Sequence, residues 1–148
     1  NRSKVLNLKM QHAQTYSKRD VLHAPYNVIE NVLEDNEKVY KALTPNFDLT
    51  LDDGRPCFVA SVTVHPGDCG PSSVEVYVSN LPESWSMVKK FAAMKDRPSV
   101  FTLPGENTAK FVRIRCVNNV RGGNLVNLRY IQIKGLTAEQ IPPQDNYQ

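Results

Sequence analysis

Apolar and polar residues alternate through most of the chain, which is the pattern of strands that bury one face. In residues 46–52, Phe47, Leu49 and Leu51 share one side, and the residues between and beside them are polar. Similar alternation recurs in residues 57–65, where Phe58 falls on the predicted inward side, and in residues 74–79, 100–103, 111–117 and 128–134. Residues 84–96 fit a helix or a strand equally well, because their apolar spacing suits both. The pattern therefore predicts about six to eight short strands.

One short helix is predicted near the start of the chain. Pro25 stands where a first helical turn tolerates proline, and Val28, Ile29, Val32 and Leu33 follow at helical spacing. The later linkers are too short for the crossovers that parallel strands need. We therefore expect an all-β protein, an antiparallel β-sandwich with one short early helix.

The chain is long enough for one domain with its own core, since it has 148 residues. We expect a lead-in over residues 1–10, the sandwich over residues 11–135 and a polar tail over residues 136–148. No apolar run approaches the length of a membrane helix. Basic residues crowd the last two predicted strands, but aromatic rings that could stack on bases are sparse there. A solvated sheet face is therefore favoured over a nucleic-acid site.

Cysteine usage favours a reducing compartment, the cytoplasm or the nucleus. Cys57, Cys69 and Cys116 are three in number, so at least one thiol has no partner within the chain. One disulfide with a spare thiol is the alternative, and a removed signal peptide would make the protein secreted. His65 could join Cys57 and Cys69 as zinc ligands, but structural zinc takes four ligands, so no metal site is predicted here.

Catalytic motifs are missing from the sequence. It has no nucleophile elbow, no phosphate-binding loop and no dinucleotide fingerprint, so we expect a protein that is not an enzyme. Asp48, Asp52 and Asp53 alternate outward and are expected on a solvated face rather than as paired catalytic acids. Glu34 and Asp35 are weak calcium candidates, because their turn offers carboxylates and carbonyls. No other cofactor is expected.

The polar stretch within residues 116–129 is the richest in binding chemistry. Asn118, Asn119 and Asn124 carry amides that donate and accept hydrogen bonds, and Arg121 carries a planar fork for a carboxylate or phosphate. A hairpin loop without any ligand explains the same residues about equally well, since Asn and Gly also serve turn geometry.

The last predicted strand pair, residues 110–115 and 128–135, resembles the closing strands of discoidin-type domains (coagulation factor 5/8 C-type). These domains belong to the galactose-binding-domain-like superfamily, and other segments are similar to it in the same order. The strand similar to residues 71–79 precedes a tryptophan in that family, here Trp85, which favours a strand over residues 84–91. The resemblance implies a discoidin-like jelly roll.

Two departures from the family pattern point to its intracellular members. The family's tryptophan is replaced by Tyr40, and no cysteine pair brackets the domain as in extracellular members. The apolar loop tips used for membrane insertion are also missing. The chain looks more like the Doc domain of the anaphase-promoting complex, the muskelin amino-terminal domain, and ciliary and DNA-repair members. The resemblance implies an adaptor in a larger assembly, of ubiquitin-ligase or ciliary type.

We therefore predict a non-enzymatic domain that binds a protein or peptide through loops at one end of the sandwich, without membrane insertion. The predicted binding residues are Asn118, Asn119, Arg121, Asn124, His23, Tyr26 and Asp35. The alternative is a carbohydrate-binding module with a structural calcium, in which Tyr26 or Tyr40 would be the platform for a sugar ring.

Overall fold

Ten strands and a 3-10 turn, together with a 3-10 segment at Val32 and Leu33, are present in the part of the chain that the structure describes. The structure is a computed structural model, and it describes residues 3–11, 32–33, 40–42, 46–67, 69–81, 83–93, 97–119 and 126–141. The strands are β1 (Lys4–Val5), β2 (Leu8–Met10), β3 (Tyr40–Ala42), β4 (Asn46–Leu51), β5 (Cys57–Pro66), β6 (Pro71–Ser79), β7 (Ser86–Ala92), β8 (Ser99–Ala109), β9 (Phe111–Asn119) and β10 (Val126–Leu136), and the 3-10 turn is Asp52–Gly54.

Two antiparallel sheets form a sandwich. Sheet I has the strand order β1-β10-β5-β8, with β3 also paired to β10, and sheet II has the order β2-β4-β9-β6-β7. This confirms the predicted all-β sandwich, and β7 confirms the strand favoured over residues 84–91. The early helix lies outside the described residues except for Val32 and Leu33 and stays a prediction. Within the described residues, no helix has the length and apolarity needed to cross a membrane.

The core lies between the inward rows of the two sheets. Leu49 of β4 and Ile114 of β9 are fully buried on sheet II, and Ile133 of β10 is fully buried on sheet I. At one edge Phe91 of β7 stacks on Phe101 of β8, with ring centroids 4.8 Å apart and planes inclined by 28°. This contact joins the two sheets, so the edge of the sandwich is closed by aromatic packing.

The predicted inward row of β5 is wrong in its first half, because a β-bulge interrupts the strand. Strict alternation placed Phe58 toward the core, but the structure buries Cys57 and Val59 instead. In the pairing with β10, the two steps from Val59 to Ser61 face the single step from Gly135 to Lys134, so β5 carries one extra residue. Successive side chains point to opposite faces of a sheet, so the extra residue changes which positions face the core. Odd-numbered residues are buried before it, and the even-numbered Val62 and Val64 are buried after it.

Strand β8 extends beyond its predicted end. Proline followed by glycine commonly ends a strand, yet Pro104 and Gly105 lie inside β8, in a stretch over residues 103–106 that has no register partner in β5. Asn107 Nδ2 donates to the Pro104 carbonyl oxygen at 2.9 Å, and Gly105 adopts a left-handed φ of +70°. Pairing with β5 then resumes at Asn107 and Val59. Glycine permits this detour because it has no Cβ.

Residues within the predicted lead-in contribute edge strands to both sheets. Strand β1 pairs with β10, and β2 pairs with β4. Between them Leu6 is buried in the core, and its N–H donates to the Ile133 carbonyl oxygen at 2.9 Å. The lead-in therefore contains paired strands, while the boundaries at residues 11, 135 and 136 stay predictions.

Gly135 should tolerate no side chain, because β10 passes very close to β5 at this point. A Cβ there would overlap the Phe58 carbonyl oxygen and lie 2.9 Å from its carbon. We expect Gly135→Ala to lower the free energy of unfolding by about 3 kcal/mol, measured by urea denaturation. Gly54→Ala is the control, because Gly54 has a φ of +87° and no atom within 4 Å of an added Cβ. It should cost about 1 kcal/mol. Equal losses in the two variants would contradict the steric explanation.

Candidate functional site

Several strand connections meet at one end of the sandwich. The register places Pro66 opposite Leu128, and Pro71 opposite Asn119. The Gly67 N–H donates to the Asn127 carbonyl oxygen at 2.9 Å, and the Asn127 N–H donates to the Cys69 carbonyl oxygen at 2.8 Å. These backbone bonds tie the β5–β6 connection to the start of β10. We call this region the loop end, and it comprises the described residues 65–67, 69–72, 97–99, 118–119 and 126–130.

The structure describes two of the seven predicted binding residues, and both lie at the loop end. Asn118 is exposed and has a φ of +53°, a left-handed value that asparagine tolerates better than most residues. Asn119 is 8% exposed and lies opposite Pro71 in the sheet. The other predicted residues and the calcium candidates lie outside the described residues: His23, Tyr26, Glu34, Asp35, Arg121 and Asn124.

A polar cluster at the loop end is not apparent from the sequence, because its members come from two different strands. Tyr130 lies opposite His65, and their rings meet edge-on with centroids 5.1 Å apart. Arg129 Nη2 lies 3.2 Å from His65 Nδ1, and Gln132 Nε2 donates to Tyr130 Oη at 3.2 Å. We call these four residues the His65 cluster. Since a guanidinium can only donate, His65 Nδ1 accepts in this contact and the ring proton is assigned to Nε2.

A β-bulge in β10 brings the His65 cluster together. The pairing of β10 with β5 shifts between Leu128 and Tyr130, so Arg129 and Tyr130 both reach the outer side of sheet I. Arg129 Nε is buried and has no hydrogen-bond partner among the described residues. Alternation along residues 57–65 predicts an outward position for His65, but only the register shows which residues lie beside it.

A groove continues from the His65 cluster along the outer face of sheet I. Its volume is about 490 Å³, and it is lined by Ser3, Ala60, Ser61, Thr63, Val100, Thr102 and Lys134. Gln132 lies opposite Thr63, which makes the cluster and the groove one continuous surface. Val100 is 65% exposed. The surface therefore offers hydroxyl groups, an amide, a cation and an aromatic ring to a polar ligand.

The acidic residues of β4 and the following turn are held by cations. Arg113 binds Asp48 through two hydrogen bonds of 2.7 and 2.9 Å, and this hydrogen bonding raises the pKa of Arg113. The solvated position expected for Asp52 is wrong, because Asp52 is 7% exposed and pairs with Arg55 at 2.9 Å. The pKa of exposed Asp53 is lowered by a hydrogen bond from a lysine of β2. These carboxylates are thus committed to ion pairs rather than to acid–base chemistry.

The cysteines do not come together with His65 as zinc ligands. Cys57 and His65 lie at opposite ends of β5, eight residues or about 26 Å apart. Cys57 and Cys116 are buried, and all three cysteines are free thiols. Within the described residues, no group of three or more His, Cys, Asp or Glu side chains could hold a metal ion. The cytoplasmic or nuclear location stays a prediction.

Comparison with solved structures identifies the fold of the chain. No protein-family model and no curated protein matches the chain. A solved chitosan-binding module 1 from the chitosanase/glucanase of Paenibacillus sp. IK-5 is 14% identical, with 88% of this chain and 94% of that chain covered and a TM-score of 0.64. The family 32 carbohydrate-binding module of C. perfringens NanJ, in complex with galactose, is 12% identical, with 89% and 98% covered and a TM-score of 0.60. The chain has the galactose-binding-domain-like fold.

Another similar structure is the family 32 module of AlyQ in complex with 4,5-unsaturated mannuronic acid. It is 16% identical, with 88% of this chain and 95% of that chain covered and a TM-score of 0.63. A truncated AlyQ with module and alginate lyase domains also matches, and this chain covers 35% of it. These neighbours are carbohydrate-binding modules, so the predicted protein- or peptide-binding adaptor of a ubiquitin-ligase or ciliary assembly is wrong. The findings favour the carbohydrate-binding alternative.

Cys69 should be the one thiol that reacts in the folded protein. Burial raises the pKa of Cys57 to about 11 and that of Cys116 to about 12, so both stay protonated at neutral pH, whereas Cys69 is half-buried at the loop end. Because the thiolate is the nucleophile, we expect Ellman's reagent at about pH 8 to titrate one thiol before unfolding and three after it. Cys69→Ser should leave none reactive in the folded state. A second rapidly reacting thiol would contradict this assignment.

Proposed function

We propose that this domain is a non-catalytic carbohydrate-binding module whose ligand lies at the loop end against the His65 cluster. The observation that carries the proposal is the likeness of the whole fold to modules solved with galactose and with an unsaturated mannuronic acid. The chemistry of the cluster supports it independently. The carboxylates of β4 and the following turn are engaged in ion pairs with arginines, so they do not form a free pair of catalytic acids.

A sugar ring needs two kinds of protein group, because it presents C–H bonds on its faces and hydroxyls around its rim. Tyr130 supplies an aromatic ring on a partly open sheet face. Arg129 supplies N–H donors, Gln132 supplies an amide oxygen, and His65 supplies an Nε2–H donor in the tautomer assigned above. The four side chains together can therefore pack one face of a sugar and hydrogen-bond its rim.

The asparagines at the end of β9 complete the proposed site. Asn118 is exposed at the loop end, where its amide can donate to one hydroxyl and accept from another. Tyr40, a platform in the carbohydrate alternative, lies opposite Leu128 in the register and therefore also at this end. Arg121 and Asn124 follow these asparagines in the sequence and are proposed as further ligand-binding residues. A structural calcium at Glu34 and Asp35 stays part of the proposal and is tested by adding a chelator to the binding assay.

Tyr130→Ala should weaken glycan binding about tenfold or more, because it removes the ring on which the sugar packs. A glycan array identifies the best neutral, amino or acidic ligand, and titration calorimetry then compares the variant with the wild type. Tyr77→Ala is the matched control, since Tyr77 lies on the outer face of sheet II and donates to Glu75 Oε1 at 2.7 Å. It should bind like the wild type.

Two results would contradict the proposed function. One is an array without any hit for folded protein, with and without calcium. The other is binding that survives Tyr130→Ala and is lost in Tyr77→Ala, which would move the site to sheet II. Thermal unfolding of both variants checks that a loss of binding is not a loss of folding.

A further inference from the structure

The two sheets use their basic residues differently. The sequence places many cations on the last two long strands, but β9 lies in sheet II and β10 lies in sheet I. On sheet II, Arg113 binds Asp48 at 2.7 Å and Arg115 lies 3.7 Å from Glu75. Their charges are therefore largely compensated within the protein.

Two cations of sheet I, Arg129 and Lys134, differ from these arginines. Among the described residues, no acidic side chain forms an ion pair with Arg129 or Lys134, and the acids that do form ion pairs contact other cations. Lys134 is exposed and lines the groove. Arg129 lies five residues earlier on the same strand, about 16 Å away. The groove thus runs between two positive charges that nothing described neutralises.

The walls of the groove suit a hydroxyl-rich chain better than a protein surface. Ser61 and Thr102 lie opposite each other in the register, and Thr63 lies opposite Val100, so hydroxyls line its floor. Among the described residues, two large apolar side chains are exposed on this face, those of Val5 and Val100. They are far fewer than the apolar residues of an obligate protein interface.

We propose that this groove binds an acidic oligosaccharide, with a carboxylate or sulfate group held by Lys134 and a neighbouring sugar ring held by the His65 cluster. The inference rests on the proposed function and narrows its ligand class to acidic glycans. Charge complementarity carries it, because an anionic sugar supplies the acidic partner that no described residue gives to Lys134, and its hydroxyls match the serine and threonine lining.

The test compares binding of matched charged and neutral probes. An oligogalacturonide and its methyl ester differ in charge on the same backbone, and dextran sulfate with neutral dextran provides the sulfate arm. Wild-type protein should bind the acid about fivefold more tightly than its ester at low salt, in line with one exposed ion pair. The preference should fall as sodium chloride rises from about 50 mM to about 500 mM. The acidic probe that the protein prefers more strongly over its neutral counterpart identifies the bound anion as a carboxylate or a sulfate.

Variants then assign the preference to the groove. Lys134→Gln should abolish the preference for the acid, and Lys134→Arg should keep it because it keeps the charge. Lys90→Gln is the matched control, since Lys90 is an exposed lysine on β7 of sheet II. It removes the same charge and should leave the preference intact.

The remaining outcomes overturn the inference in distinguishable ways. Binding of neutral glycans that depends on Tyr130 without any preference for the acid would overturn the inference and leave the proposed function standing. Absence of all glycan binding would overturn both. Equal, Lys134-dependent binding of polyglutamate would show a general polyanion surface, and a concentration-dependent dimer lost in Lys134→Gln would show that a second copy covers the groove.

Discussion

The pairing of β5 with β10 decides which side chains this domain can present to a ligand. Both strands lie at the centre of sheet I, and their register shifts between Leu128 and Tyr130 and again between Lys134 and Gly135. The first shift brings Arg129 beside His65, and the second accompanies the close approach of Gly135 to the Phe58 carbonyl. Between them Ile131 and Ile133 stay in the core. The same backbone bonds therefore hold the core and set the outward row of the candidate site.

Charge follows from this division of the strands. A net charge of +3 is too small to define a partner by itself. On sheet II, ion pairs with Asp48 and Glu75 neutralise most of the positive charge of Arg113 and Arg115. Arg113 is further committed, since its guanidinium also lies 4.7 Å from the centre of the Trp85 ring. Sheet I keeps Lys134 uncompensated among the described residues. Topology, rather than composition, thus separates the ion-paired arginines of β9 from Arg129 and Lys134 of β10, which have no acidic partner among the described residues.

Much of the fold was predictable because period-two alternation directly reports a half-buried strand. Phe47, Leu49 and Leu51 were assigned to the core on that basis and are fully buried. The alternation failed at Val59, where a bulge in β5 opposite β10 reverses which positions face the core, because hydrophobicity alone gives no sign of a bulge. The sequence pointed to Asn118 but not to the His65 cluster. His65 and Arg129 are in contact although they lie 64 residues apart in the sequence. Their proximity is set by register.

The ligand class was harder to predict than the fold, because the same side chains serve different ligands. An arginine fork and asparagine amides bind the carboxylate and main chain of a peptide as readily as the carboxylate and hydroxyls of a uronic acid. A fold that carries both functions in different proteins does not separate them. What separates them is the neighbouring surface: a peptide needs pockets for alternate side chains, whereas a sugar needs a ring face beside a hydroxyl-lined strip. Tyr130 next to Gln132 and Thr63 fits the second arrangement, which is why we propose a sugar rather than a peptide as the ligand, and Lys134 would add selectivity for an acidic one.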